Sequence, residues 1–139
     1  SLPINRKRSF INLRDMKREI YYSKRSFSKY DDSHYIVYLN EEVLENFVPE
    51  TFEGDKAPEP QIAYAYTGPE EDGGTLIEAK SATYDEFVSG LVRLEFPQAK
   101  VEAILLNQGD GNDEHLAEYN NLQLYRRECK LFASKLLAD

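Results

Sequence analysis

NDEHLAEYNNLQLYRRECKLFASKL, residues 112–136, is the stretch that decides how this chain folds. Leu116, Tyr119, Leu122, Tyr125, Cys129, Phe132 and Leu136 recur every three or four residues, which lays one apolar stripe along a helix. Asn112 stands where a helix is capped, and Asp113 and Glu114 stand where the helix dipole favours acids. A stripe of that length needs an apolar layer to lie on, and the rest of the chain must provide it.

Just upstream, the helical period continues in two shorter pieces. Thr83 with Glu86 three residues on reads as a capping box. Tyr84, Phe87, Val88, Leu91 and Leu94 then form a second stripe. Phe96-Pro97 breaks it, and Pro97 opens a short helix whose inward face is Val101, Ile104 and Leu105. Asn107-Gln108-Gly109-Asp110-Gly111 separates that helix from the long one.

The N-terminal half carries strand signals instead. Ile20-Tyr21-Tyr22 and His34-Tyr35-Ile36-Val37-Tyr38-Leu39 are rich in aromatic and β-branched residues, with a turn-prone connection over 26–33. Residues 61–66 alternate, with Ile62, Tyr64 and Tyr66 on one face and Ala63 and Ala65 on the other. Gly68–Gly74 is turn-rich, so Thr75–Ala79 is expected to return as the hairpin partner of 61–66. Between these strands, Asn40 is placed to cap a short helix with Val43, Leu44 and Phe47 as its apolar face, ended by Pro49. Residues 49–60 hold three prolines, a glycine and four acids and read as a surface loop. The expected class is α+β: a small, mostly antiparallel sheet from the N-terminal half packed against three C-terminal helices.

The size, 139 residues with 41% apolar side chains, suits one domain over 16–139. Residues 1–15 are read as a basic arm, or as an added or extended-start segment, because Met16 followed by Lys17-Arg18-Glu19 resembles a start. No run approaches the ~18 consecutive apolar residues of a membrane span. The single cysteine excludes an internal disulfide and fits a reducing compartment, so a cytoplasmic location is expected.

Charge is laid out unevenly. Residues 1–30 hold nine Lys or Arg against Asp15 and Glu19, a net of +7, while the remainder carries eight basic and 23 acidic side chains, a net of −15. Arg6, Lys7, Arg8, Lys24 and Arg25 are therefore candidate partner contacts. With Phe10, Tyr21, Tyr22, Phe27 and Tyr30 interleaved, the same segment offers charge and stacking to nucleic acid, although the acidic body opposes it. Tyr35, Tyr64 and Tyr66 complete the candidate set, since a phenol gives a broad apolar face with a polar tip. If helices cover the alanine face of 61–66, Tyr64 and Tyr66 point outward.

No catalytic, metal or cofactor constellation stands out. Asp110–Glu114 looks briefly like a calcium loop, but His115 and Asn121 occupy the places of the required Gly and Glu. Asp31, Asp32 and His34 lie close in sequence, yet the chain has only two histidines. Cys129 falls on the apolar stripe, where a small hydrophobe packs well and a nucleophile has no base beside it.

From about residue 65 to residue 136 the chain resembles small uncharacterised proteins from prophage-like gene sets of Bacteroidetes, near tail or other virion-structural genes. Tyr66-Thr67-Gly68, Asp72–Ile77, Tyr84–Arg93, Val101–Asn107 and Tyr125–Lys130 carry the likeness. It implies a structural, assembly or chaperone-like role, with a virion-associated location if the chain is phage-derived, and brings no catalytic residues with it. The expectation is a non-enzymatic protein that contacts a protein partner or another copy, with nucleic-acid binding through the arm as the alternative.

Overall fold

The long C-terminal helix forms where the stripe places it. The computed structural model describes residues 15–56 and 58–138. Its elements run β1 (Lys17–Tyr21), β2 (Phe27–Asp31), β3 (His34–Val37), β4 (Glu42–Phe47), β5 (Gln61–Gly68), β6 (Thr75–Glu78), α1 (Tyr84–Arg93), α2 (Gln98–Leu106) and α3 (Asp113–Leu136). The Asn112 side chain accepts the His115 N–H and caps α3. The class is α+β, but the sheet is split in two: β1-β5-β4 and β2-β3-β6, both antiparallel throughout.

The helices sit on the second sheet. Tyr35, Val37 and Ile77 are buried with Phe87, Leu91, Leu122, Tyr125 and Phe132 in one core. Phe87 lies edge-on to Phe27 and Tyr35, with ring centroids 5.3 and 5.4 Å away, which suits the aromatic quadrupoles. α1 approaches β6 closely because Gly90 faces the Glu78 carbonyl. α3 is tied to α1 by the Tyr125 hydroxyl, which donates to the Leu91 carbonyl at 2.9 Å.

Four local expectations are corrected. Residues 42–47 form strand β4, not a helix. Asn40 has φ 57°, a left-handed conformation that asparagine tolerates, and so turns the chain towards the first sheet instead of capping a helix. Leu44 and Phe47 pair with Ala63 and Gln61, three residues against two, across an irregularity in β4. That extra residue gives two same-face side chains the i, i+3 spacing of a helix.

Secondly, β5 and β6 are not hairpin partners. β5 lies between β1 and β4, whereas β6 pairs with β3 in the other sheet, Tyr35 opposite Ile77. The glycine-rich loop is a crossing between sheets, closed by the Glu70 N–H on the Gly74 carbonyl and the Gly73 N–H on the Glu70 carbonyl. Thirdly, the stretch read as a connection over 26–33 contains strand β2, hairpinned to β3. Fourthly, Thr83 makes no side-chain cap; the Glu86 carboxylate instead accepts the Lys80 N–H at 2.7 Å.

Candidate interaction surface

β5 carries the tyrosines that the alternation singled out, and the structure separates them. Ile62, Tyr64 and Tyr66 share a face, which runs from exposed Ile62 through half-buried Tyr64 to fully buried Tyr66. Register puts Val43 opposite Tyr64 on that face, and it too is exposed. Tyr66 is covered because the rings of Tyr38 and Tyr21 pack against it, with centroids 5.6 and 6.2 Å away, and its hydroxyl is engaged by the Arg25 backbone N–H and by Glu41. On the opposite face Ala63 and Ala65 are buried, with Leu44 and Ile20 opposite them on the flanking strands. The rings of Tyr22 and Phe47 meet at 6.1 Å at the end of this face. The small alanines thus lie low between larger neighbours, while α1 packs on β6.

The expected outward row of Tyr64 and Tyr66 is therefore corrected: Tyr66 points inward and cannot touch a partner. Tyr35 is also in the core, against Phe27 and Phe87. Sequence alternation identified the face but not what lay over it. Arg6, Lys7 and Arg8 lie outside the described residues. Lys24 is exposed.

Arg25 is held by aromatic rings. Its guanidinium stands 4.0 Å from the Tyr21 ring centre and 5.3 Å from that of Tyr38, a cation–π arrangement. It also donates to the Tyr38 hydroxyl at 3.2 Å, and its backbone N–H donates to the Tyr66 hydroxyl at 2.9 Å. Tyr38 in turn donates to Asp72 at 2.7 Å and Tyr66 to Glu41 at 2.8 Å, while the Tyr21 hydroxyl donates to the Asp72 carbonyl. Lys135 of α3 reaches the other Glu41 oxygen at 3.4 Å. Burial first, and then the nearby carboxylates, hold Tyr38 and Tyr66 above the ordinary phenol range, so both remain proton donors. The cluster joins the two sheets through residues that sequence reasoning had not connected, Asp72 and Glu41 above all. Their only sequence signal was a carboxylate near a turn.

The two histidines pair locally. His34 Nδ1 lies 2.9 Å from Asp31, and His115 Nδ1 lies 2.6 Å from Asp110. Asp31 and Asp110 are held below the usual carboxylate range by backbone N–H groups, from Ser33 and Asn112 respectively, and next by those histidines. Among the described residues no three His, Cys, Asp or Glu side chains converge as a metal site.

Cys129 is fully buried, and burial pushes its thiol up to about 12 from an ordinary 9.0. The folded chain holds this proton more tightly than the unfolded one. The resulting stability is complete below pH 9.0 and is lost as pH rises towards about 12. Native protein is expected to resist a disulfide reagent at pH 8 and to react only on unfolding, and its urea midpoint should fall above pH 9. Rapid labelling of folded protein would contradict this.

What the fold and surface define is a class: an α+β protein of two three-stranded antiparallel sheets, one under helices and one with exposed apolar side chains. The chain matches no protein-family model, no curated protein and no solved structure. Among the described residues no helix is long and apolar enough to cross a membrane.

Proposed function

We propose that this protein works by binding another protein surface, a second copy first of all, in an assembly role like that implied by its resemblance to prophage-region proteins. The observation that carries this reading is the apolar patch on the first sheet. Val43 and Ile62 are each 50% exposed beside Tyr64, at the open end of the face whose other end, Tyr66, is buried. Desolvating such a patch favours association. The charge division adds direction, since a cationic leader on one copy finds an anionic body on the next.

Nucleic-acid binding is the weaker reading. Arg25 is stacked on tyrosines and Arg18 is paired with Glu42 at 3.2 Å, so two of the leader's cations already have partners.

Light scattering on the full chain at about 50 and 500 mM salt separates the contributions. Association at both salts, stronger in the lower, is expected, and Ile62→Asp should weaken it at both. A strict monomer at either salt up to about 100 μM would remove the self-association reading.

A further inference from the structure

Away from the sheets, the three helices leave an open groove of about 700 Å³. It exists because α1 divides its apolar residues between two directions. Phe87 and Leu91 are fully buried in the core, while Val88 and Val92 also line the groove. α2 is too short to close the gap. Only Ile104 of α2 is buried, Val101 is half-buried, and Leu105 stays 47% exposed along the opposite wall. Leu122 of α3 forms the floor.

One side of this apolar trough is cationic. Arg126 and Lys130, one helical turn apart on α3, line it and make no ion pair among the described residues. Arg93 also lines it, but its guanidinium is spent on Glu78, at 3.0 Å to the carboxylate and 2.9 Å to the carbonyl. Asp85 is the single acid on the lining. Two unpaired cations beside one acid are unusual in a chain whose net charge is −8. Placing them over apolar walls favours a ligand with a charged head and an alkyl body. The volume lies in the range of about 300–1,000 Å³ that small-molecule sites occupy.

We infer that the groove binds an amphiphilic monoanion, a free medium-chain carboxylate. Its alkyl chain lies along Val88, Val92, Val101 and Leu105, and its carboxylate lies between Arg126 and Lys130. Charge-assisted hydrogen bonds to the two cations supply the head-group selectivity. Removal of alkyl surface from water supplies the rest. This site is independent of the sheet patch, so its failure leaves the assembly reading intact.

The test is a titration of the full chain with sodium decanoate below its micelle concentration, followed through valine and leucine methyl resonances. Shifts confined to Val88, Val92, Val101, Leu105 and Leu122, with core Val37 unmoved, are expected. The double variant Arg126→Gln, Lys130→Gln changes exposed side chains only. It should bind decanoate at least about tenfold more weakly while binding 1-decanol as the parent does. Leu105→Glu should abolish binding of decanoate. Unchanged affinity in the double variant, no shift by about 1 mM decanoate, or shifts scattered over the whole surface would each overturn the assignment.

Discussion

Replacement of Tyr125 by alanine is expected to lower the unfolding free energy by about 3–5 kcal/mol, the range for removing a fully buried aromatic ring. Tyr125 is 0% exposed, its ring centroid is 5.5 Å from that of Phe96, and its hydroxyl reaches across to α1. Truncation leaves a cavity where α1 and α3 meet and removes the hydrogen bond to Leu91. Tyr125→Phe separates the two effects, because it keeps the ring. The Leu91 carbonyl also accepts from the Leu94 N–H, so the loss in the phenylalanine variant should be only about 0.5–1.5 kcal/mol. A domain of this size has roughly 5–15 kcal/mol in total, so urea denaturation will show Tyr125→Ala plainly. A loss below 1 kcal/mol in that variant would mean that α3 does not bear on α1 as described.

Gly90→Ala is the second large effect, and its sign is the informative part. In a helix interior, alanine in place of glycine ordinarily gains about 1 kcal/mol. Here the added Cβ would stand 2.5 Å from the Glu78 carbonyl oxygen and 3.3 Å from the Ile77 Cβ. The first of these atoms is backbone in β6, held in place by pairing with β3 and by the Arg93 guanidinium on the same carbonyl. α1 must therefore lift from the sheet, at an overpacking cost of about 1–3 kcal/mol or more. Net destabilisation is expected, larger still for Gly90→Val, whereas Ser89→Ala, one residue away and exposed, should be neutral or slightly stabilising. The urea midpoints of the three variants decide it; a stabilised Gly90→Ala would show that the helix stands off the sheet.

Tyr125 and Gly90 stand at opposite ends of what local sequence makes legible. Tyr125 was legible: its spacing from Leu122, Cys129 and Phe132 put it on the buried stripe, and the structure buries all four. Gly90 was not, because a glycine inside a helical pattern does not say what approaches it. Residues 42–47 show how a local pattern misleads. An extra residue in β4 places Leu44 and Phe47 three apart on one face, which imitates a helical turn. The tyrosines show a different limit. Alternation grouped Tyr64 with Tyr66 correctly, but the rings of Tyr21 and Tyr38 bury the second and leave the first half-open. The groove carries a similar lesson, since the spacing of Arg126 and Lys130 along α3 does not say that apolar walls from α1 and α2 stand beside them.

By itself, the sequence determined the three helices, their order, the cap at Asn112 and the α+β class, because helical period, caps and breakers act over a few neighbouring residues. Only the tertiary structure decided that the strands divide into two sheets, which faces are covered, and where unpaired cations overlook apolar walls. Those outcomes depend on contacts between residues far apart in the chain, Glu41 with Lys135 or Gly90 with Glu78, and no local pattern encodes such a distance.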